Sequence, residues 1–241
     1  MANSYNIKLK LREEIAEGTM AFHFEKPVDS TFRAGQYLEM TLINPPETDA
    51  EGNNRPFSIA SSPQEEYLMI ATRMRDTAFK RVLKSATMGL EVKAELPFGS
   101  FTLHNDPSKP AVLLMGGIGI TPVRSIVLDA SARKLPHKIF LFYSNRRPED
   151  TAFLKELQEL EKQNPNYRFI GTMTDMKNSQ QEWTGETGYI NKEMIAKYVG
   201  DLTKPIYYSA GPQTMVSAMR QVLNNAGIDD DYIKTEDFSG Y

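Results

Sequence analysis

Residues Ala111 to Val127 read AVLLMGGIGITPVRSIV, and this stretch of sequence decides the fold. It begins with an apolar run, Ala111 to Met115, whose length and composition predict a fully buried strand. The run then breaks into glycines at Gly116, Gly117 and Gly119, which are typical of a tight turn. The stretch therefore predicts a buried strand that ends in a glycine turn.

A helix is predicted immediately after the glycines. The Thr121 hydroxyl can cap this helix, and Pro122 takes the first helical position, where a missing N–H costs nothing. Apolar residues then recur at helical spacing, at Val123, Ile126, Val127 and Ala130. Free N–H groups at a helix N-terminus, approached over glycines without a Cβ, suit a bound phosphate. Strand, glycine turn and helix together predict an anion site.

The glycine turn by itself leaves two interpretations open. The dinucleotide-binding fingerprint is G-x-G-x-x-G, whereas Gly117-x-Gly119 is followed by Pro122 where the third glycine should stand. On motif length alone, an ordinary tight turn after a buried strand is about as good an interpretation as a phosphate site. The rest of the chain has to decide between them.

Composition excludes several classes of site. The 241 residues suffice for two modest domains. With 28 basic and 31 acidic residues the net charge is −3, so we expect no nucleic-acid partner. The absence of cysteine excludes disulfides, thiolate zinc sites and cysteine-ligated iron–sulfur clusters within the chain. The three histidines, His23, His104 and His137, lack metal-ligand spacing, and no metal site is expected.

Membrane and export signals are not evident in the sequence. No apolar run approaches the roughly 20 residues that a membrane helix needs, and the N-terminal MANSYNIKLK lacks the apolar core of a signal peptide. We therefore expect a cytoplasmic protein without a membrane span.

The first 105 residues predict a small antiparallel β-barrel. Short strand-like runs alternate with turn-rich pieces; the runs are Asn6–Glu13, Thr19–Glu25, Tyr37–Ile43, Pro56–Ala60, Tyr67–Thr72 and Glu91–Leu96. One helix, Ala78 to Ser85, interrupts them, with Asp76 and Thr77 as cap residues and Gly89 ending the following turn.

The pattern changes after the polar turn Asn105 to Ser108, where we place the boundary between domains 1–105 and 106–241. Buried strands then alternate with amphipathic helices, which predicts a parallel sheet in an α/β domain. The predicted strands are Ala111–Met115, Lys138–Ser144, Tyr167–Met173 and Pro205–Ser209; the further helices are one with Phe153, Leu154, Leu157 and Leu160 on one face, Lys192–Tyr198, and Pro212–Asn225 closed by Gly227.

Two further motifs bear on the glycine turn. Upstream, Arg55 to Pro63 reads RPFSIASSP, which brings an arginine, an aromatic ring and a hydroxyl onto one extended segment. Along a regular strand Arg55 and Phe57 would face one way, and Pro56 and Ser58 the other. Downstream, Tyr208 to Pro212 reads YSAGP, a strand that enters a helix. Strands of a parallel sheet end at the same edge, so this turn and the glycine turn are predicted to line one crevice.

These motifs, in this order, resemble the ferredoxin–NADP⁺ reductase family of flavoenzymes over nearly the whole chain. Arg55-x-Phe57-Ser58 looks like the family's flavin motif, Gly116 to Pro122 like its pyridine-nucleotide loop, and Ser209 to Pro212 like its C-G-P turn. Four further matches are Phe32-x-x-Gly35-Gln36-Tyr37, Pro97-x-Gly99-x-Phe101, Trp183-x-Gly185-x-x-Gly188 and Glu236-x-Phe238. The resemblance implies an FAD-binding barrel in front of an NAD(P)-binding α/β domain.

The resemblance also assigns roles around the flavin. Arg55 would pair with the FAD pyrophosphate, Phe57 would stack beside the flavin, and Ser58 would hydrogen-bond near flavin N5; a planar, permanent cation suits phosphate. Structural roles for the same residues are the alternative. Pro56 lies between them, and the cofactor-binding set extends to the strand residues Ala71 and Thr72.

A second phosphate contact is implied at the predicted helix. Backbone N–H groups of Ala78, Phe79 and Lys80 would face phosphate, although Lys80 replaces the serine of the family's G-x-x-S-x-x-L segment. The surrounding basic stretch, Arg73 to Lys84, has three alternatives: it holds FAD phosphates, docks an acidic electron carrier, or is merely solvated.

On the nucleotide side the resemblance implicates the loop Gly116, Gly117, Gly119, Thr121 and Pro122 and the turn Ala210, Gly211 and Pro212. Alanine at Ala210 replaces the cysteine that often faces the nicotinamide in the family, and we expect hydride transfer to survive this change because no nucleophile is required. Arg146 and Arg147, after the second strand of this domain, favour the 2′-phosphate of NADPH. Glu149 and Asp150 follow them in a run that also looks like that of NADH enzymes, so the choice between NADH and NADPH stays open.

The C-terminal tail completes the implied site. Glu236 and Phe238 join Ser58 as candidate catalytic residues, and an aromatic ring near the chain end would cover the flavin. Phe238 is the first choice for that ring and Tyr241 the second. A frayed tail is the alternative.

The sequence thus predicts an FAD-dependent NAD(P)H oxidoreductase, monomeric or weakly dimeric, that passes electrons to a ferredoxin, a flavodoxin, an oxygenase component, a quinone or a metal complex. Because the chain has no cysteine, any iron–sulfur relay belongs to another chain. The alternatives are an electron-transfer subunit with little activity alone, and a barrel plus α/β binding module without flavin.

Overall fold

The computed structural model describes residues 2–238 and opens with a six-stranded antiparallel sheet. Its spatial order is β4-β3-β6-β1-β2-β5, and the strands are β1 (Asn3–Ala16), β2 (Thr19–Glu25), β3 (Tyr37–Leu42), β4 (Asn54–Ser58), β5 (Tyr67–Arg73) and β6 (Glu91–Phe98). A backbone hydrogen bond of 2.8 Å from Ala60, just beyond β4, to Met69 of β5 joins the two edge strands. The sheet therefore curves into the predicted barrel.

Alternation of buried and exposed residues builds the barrel core. In β3 the buried side chains are Leu38, Met40 and Leu42, spaced two residues apart as on one face of a strand. They pack with apolar side chains of β1, β2, β5 and β6 and with the helix that follows β5.

That helix, α1 (Ala78–Ser85), has the predicted bounds. The Thr77 hydroxyl accepts a hydrogen bond of 3.4 Å from the Lys80 N–H, which is the predicted N-cap contact. Phe79, Val82 and Leu83 are buried against the barrel. Local capping and apolar spacing were enough to predict this element.

The second half is a six-stranded parallel sheet in the order β10-β9-β8-β7-β11-β12. Its strands are β7 (Ala111–Gly116), β8 (Ile139–Asn145), β9 (Tyr167–Met173), β10 (Glu186–Thr187), β11 (Ile206–Pro212) and β12 (Ile233–Phe238). Its helices are α2 (Ile120–Ala132), α3 (Leu154–Gln163), α4 (Lys192–Val199) and α5 (Gln213–Asn225). Every residue of β7 is buried, as predicted. The parallel α/β architecture is confirmed.

The two edge strands of this sheet, β10 and β12, were not predicted. β10 has only two residues, and β12 is the mostly polar segment IKTEDF. An edge strand pairs on one side only, so it lacks the continuous apolar pattern of a central strand.

The start of α2 differs from the prediction. Thr121 is not the N-cap: a 3₁₀ turn, Gly117–Gly119, leads directly into the helix at Ile120, and the Thr121 hydroxyl donates to the Ile118 carbonyl at 3.1 Å. Pro122 is the third helical residue, still within the first turn, where N–H groups have no helical acceptor.

The earlier start has a tertiary cause. A Cβ on Gly119 would lie 2.5 Å from the Ala210 carbonyl oxygen and 2.6 Å from the Gly211 Cα. The chain therefore passes directly over the end of β11 and turns into the helix before Thr121. Sequence alone does not reveal this close approach.

Layers of side chains cover both faces of the parallel sheet. One face packs against α2 and α3 and the other against α4 and α5. The sheet order places β7 and β11 side by side, with the connection from β7 leading to β8 on one side and β11 continuing to β12 on the other. This is a topological switch point, and ligands of such sheets bind at the carboxyl ends of the strands there.

Candidate functional site

A cavity of about 620 Å³ lies where β4 and β5 of the barrel approach the first turn of α2. Eight of the predicted site residues line it: Arg55, Pro56, Phe57, Ser58, Ala71, Thr72, Lys80 and Thr121. Two more lining residues, Arg73 and Arg75, belong to the basic stretch for which phosphate binding was one alternative, and three were not singled out as site residues: Glu51, Thr77 and Ile118. The cavity thus joins the barrel motif to the nucleotide loop.

All four residues of the Arg55 to Ser58 motif line this cavity, although alternate residues were predicted to face apart. β4 ends the sheet order, and the cavity beside it is also lined by residues of β5, α1 and the start of α2. A cavity that contacts several elements at once can touch strand residues of either orientation, so alternation along β4 did not predict its lining.

Ser58 has a buried hydroxyl that no hydrogen bond within residues 2–238 satisfies. The residue is 5% exposed and lines the cavity. Buried polar groups nearly always have a partner, and an exception calls for an explanation such as a ligand. The Ser58 hydroxyl is therefore a candidate contact for a polar ligand atom.

Phe57 and Arg55 line one wall of the cavity, and the Phe79 ring packs behind them. The Phe57 and Phe79 rings are 5.7 Å apart between centroids, and the Arg55 guanidinium lies 5.4 Å from the Phe79 centroid. Phe79 and Ala78 are 1% exposed and support the wall from below instead of lining the cavity. The side chains of Ala78 and Phe79 therefore cannot contact a ligand in the cavity, and only their backbone N–H groups keep the predicted role in phosphate binding.

The predicted phosphate ligands already bind carboxylates of the chain. Arg55 donates to the Glu51 carboxylate at 2.8 Å and to the carbonyls of Glu51 and Asn54 at 2.7 and 2.6 Å. The Ala78 N–H at the start of α1 donates to the Asp49 carboxylate at 2.8 Å, which holds the pKa of Asp49 below its ordinary value. We refer to residues 49–54, which carry these two carboxylates, as the acidic loop.

Lys80 points its ammonium group toward backbone and not toward a carboxylate. Its Nζ donates to the Arg73 carbonyl at 2.8 Å. Burial and the nearby Arg75 lower the pKa of Lys80. The cavity therefore collects the positive groups of Arg55, Arg73, Arg75 and Lys80 in a chain of negative net charge.

The nucleotide loop and the predicted turn Ala210–Pro212, which forms the end of β11, lie against each other at the carboxyl edge of the parallel sheet. Besides the approach of Gly119 to Ala210 and Gly211, the ring of Pro212 lies 3.4 Å from where a Gly116 Cβ would stand. The Tyr143 hydroxyl donates to the Gly117 carbonyl at 3.0 Å. The structure thus brings the predicted loop and turn together. Of the loop, only Ile118 and Thr121 reach the cavity.

Arg146, predicted to bind the cosubstrate, lies at the end of β8 with its side chain 71% exposed. Its guanidinium donates to the Asp175 carboxylate at 3.0 Å, and the Asp175 N–H donates to the Arg146 carbonyl at 2.8 Å. Hydrogen bonds from Asn178 and Arg146 lower the pKa of Asp175. Asp175 follows β9 as Arg146 follows β8, a position that sequence reasoning could have flagged and did not.

The C-terminal strand β12 brings Glu236 beside the end of β11. Glu236 pairs in register with Ala210, and Phe238 with Pro212. Burial raises the pKa of Glu236 to about 7, and its Oε2 has no hydrogen-bond partner within the described residues. Tyr241 lies outside the described residues.

No helix within residues 2–238 is long and apolar enough to cross a membrane.

The family model described as "Oxidoreductase NAD-binding domain" matches residues 113–221. The glycine betaine monooxygenase reductase subunit of Chromohalobacter salexigens is 28% identical over 226 residues, which cover 91% of this chain and 60% of that subunit. The chain thus spans about three fifths of the length of this relative.

Two solved structures share the fold over the whole chain. The flavohem-like FAD/NAD-binding domain of nitric oxide dioxygenase from Vibrio cholerae has a TM-score of 0.83 at 17% identity, covering 97% of this chain and 98% of that one. A ferredoxin NADP⁺ reductase from Neisseria gonorrhoeae with bound FAD and NADP has a TM-score of 0.80 at 19% identity, covering 98% and 99%.

Proposed function

We propose that this chain, whose residues 113–221 match the oxidoreductase NAD-binding domain, is an NAD(P)H-dependent flavin oxidoreductase of the ferredoxin reductase-like type. The observation that carries the proposal is the single cavity on which the Arg55 to Ser58 strand and the first turn of α2 converge. A cavity shared by a barrel strand and a nucleotide loop suits a flavin that must meet a nicotinamide.

The residues around the cavity fit FAD. The unsatisfied Ser58 hydroxyl offers a hydrogen bond, the Phe57 ring offers an apolar wall, and Arg55 and Lys80 offer positive charge for a diphosphate. Arg55 and the Ala78 N–H bind the acidic loop instead, so we infer that its carboxylates give way to the diphosphate. Carboxylate and phosphate compete for the same donors.

When bound, FAD supplies the capacity to accept hydride from the nicotinamide and to release electrons one at a time. Ser58 orients the reacting edge through its hydroxyl. Ala210 is fully buried near the end of β11 and supplies no nucleophile. Glu236, with a pKa near neutrality, holds a proton at its carboxyl on the nucleotide side.

We propose NADH as the preferred donor. The positive charge of Arg146 is neutralised by Asp175, whose carboxylate would repel a 2′-phosphate and can accept hydrogen bonds from ribose hydroxyls. Asp175→Ser should therefore raise kcat/KM for NADPH relative to NADH about tenfold, a typical gain for removing one repulsive charge. Asp201→Asn, on another loop, should leave the ratio unchanged. An unchanged ratio for Asp175→Ser contradicts this preference.

For the acceptor we propose a partner oxygenase component. The similar Chromohalobacter protein is a glycine betaine monooxygenase reductase subunit, which supports an oxygenase component as the acceptor. Ferredoxin and flavodoxin remain the alternatives predicted from the sequence, as does a monomer or weak homodimer.

The visible spectrum tests the proposed function. Protein incubated with FAD and desalted should retain flavin absorbance, and anaerobic NADH should bleach it. Ser58→Ala should retain FAD and slow this bleaching about tenfold or more, while Ser85→Ala, an exposed serine on α1, should not. A protein that takes up no flavin contradicts the proposal.

A further inference from the structure

Arg124 is a buried arginine that lies outside the cavity and that the proposed chemistry does not use. It lies on α2 and is 4% exposed. Each of the five N–H donors of a guanidinium is engaged: Nε and Nη2 donate to Glu156 at 2.7 and 2.6 Å, Nη1 and Nη2 to Glu65 at 2.9 and 3.0 Å, and Nη1 to the Ala60 carbonyl at 2.8 Å. The Phe153 ring lies 4.9 Å from the guanidinium carbon.

The partners of Arg124 come from both halves of the chain. Ala60 and Glu65 belong to the connection between β4 and β5 of the barrel, whereas Glu156 lies on α3 beside the parallel sheet. The next residue of α2, Ser125, donates from its hydroxyl to the Ser61 carbonyl at 2.7 Å and is fully buried. Two successive residues of α2 therefore bind the same barrel segment, residues 60–65, which we refer to as the barrel latch.

Hydrogen bonds within the barrel hold the barrel latch in place. The Ser62 N–H donates to the Glu65 carboxylate at 2.6 Å, and the Ser61 hydroxyl accepts from the Met69 N–H at 2.9 Å. The barrel latch begins two residues after Ser58, which lines the cavity. On the opposite wall of the cavity, α2 begins one residue after Gly119. Its second residue, Thr121, lines the same cavity. The hydrogen bonds of Arg124 and Ser125 to the barrel latch, which we call the clamp, therefore link the two walls of the site through short segments.

We propose that Arg124 is a positioning residue that sets the spacing between Ser58 and the nucleotide loop. A guanidinium suits this task because its planar fork holds fixed angles to two carboxylates and a carbonyl at once, whereas an ammonium group is a point charge on a flexible stem. Hydride transfer depends steeply on the separation of donor and acceptor, and misplacement by about 1 Å can cost about 100-fold in rate.

The two carboxylate partners provide a matched pair of variants. Glu65 and Glu156 have similar side-chain exposure, 35% and 38%, and each accepts two hydrogen bonds from Arg124. Replacing either by glutamine removes one charge and one acceptor oxygen. Only Glu65→Gln loosens the bond to the barrel; Glu156→Gln loosens a bond within the second half. If Arg124 only stabilised the fold, the two variants would lower the rate constant of flavin reduction to the same extent.

The first measurement is the rate constant of flavin reduction at saturating NADH, and this arm rests on the proposed function. Glu65→Gln and Arg124→Lys should lower it about tenfold or more with FAD content unchanged. Glu156→Gln should stay within about twofold of the wild type. Equal rates for Glu65→Gln and the wild type, or equal losses for Glu65→Gln and Glu156→Gln, overturn the proposal.

The second measurement needs neither cofactor nor turnover. The chain has no cysteine, so spin labels can be attached at Glu66→Cys and Lys162→Cys, exposed positions on the barrel and on α3. The distance distribution between the labels should broaden in Glu65→Gln and Arg124→Lys but not in Glu156→Gln. If wild-type flavin is reduced by neither NADH nor NADPH, the proposed function fails while this measurement still decides the clamp.

Discussion

The barrel side and the nucleotide side of the site are built in opposite ways. The barrel side encloses a cavity of about 620 Å³ with an unsatisfied hydroxyl and several cations. The nucleotide side is backbone packed on backbone, Gly119 on Ala210 and Gly211, with charged side chains exposed at the sheet edge. Enclosure suits a resident cofactor, and an open backbone edge suits a cosubstrate that must enter and leave.

Gly119→Val should have the largest effect, and on the nucleotide side alone. The new side chain would meet backbone at 2.5 Å, which cannot shift as a flexible side chain can. Overpacking of this kind costs about 1–3 kcal/mol or more, and we expect reduction by NADH to fall about 100-fold with FAD binding retained. Gly18→Asn, in an open turn with φ of +65°, is the control. Loss of FAD binding in Gly119→Val would show that the two sides are not separable.

Arg55→Ala should affect the barrel side alone. Removing a cation that binds a diphosphate costs roughly 1.5–3 kcal/mol, so FAD should bind about 10- to 100-fold more weakly. Fluorescence titration with FAD measures this change. Arg146→Ala, on the nucleotide side, should leave FAD affinity unchanged, and an equal weakening there would contradict the division.

Glu236→Gln sharpens the comparison through pH. Burial raises the pKa of Glu236 from 4.5 to about 7, so the folded state holds a proton that the unfolded chain releases. Stability from this carboxyl is complete below pH 4.5 and falls as pH rises through about 7. The loss amounts to about 1–2 kcal/mol once partial exposure is allowed for.

Glu236→Gln should remove this part of the pH dependence, so that wild type and variant converge in acid and the variant is the more stable at pH 8. Denaturant unfolding at several pH values measures the difference. Glu182→Gln, on an exposed segment, serves as control. Parallel curves for wild type and Glu236→Gln would show that this carboxyl is ionised without penalty.

The acidic loop should give the smallest effect. Asp49→Asn combined with Glu51→Gln removes the carboxylates that occupy Arg55 and the Ala78 N–H, so FAD should bind about 3- to 10-fold more tightly. Glu47→Gln, whose carboxylate binds Arg81 instead, should change little. Weaker binding in the double variant would mean that the loop assists the diphosphate.

Local sequence was sufficient wherever neighbours along the chain decide the structure. The bounds of α1 follow from the Thr77 cap and apolar spacing, and β7 follows from its unbroken apolar run. The R-x-F-S motif and the start of α2, both singled out from the sequence, line one cavity. The predicted start of α2 was wrong. Gly119, just before the helix, packs closely on Ala210 and Gly211, which lie far along the chain and cannot be placed from local sequence. The division at residue 105, the roles of individual site residues and the cytoplasmic location stay predictions.

What the sequence by itself determined is the set of elements and the motifs, because capping, periodicity and glycine turns act over a few residues. Only the tertiary structure paired Arg55 with Glu51, Ala78 with Asp49, Arg146 with Asp175 and Arg124 with Glu65. Most of these pairs join segments far apart in the chain, and a charge shows no preferred partner until the fold places one within hydrogen-bond reach. The barrel and the parallel sheet could therefore be predicted from the sequence, whereas the pairing of charged groups around the site could not.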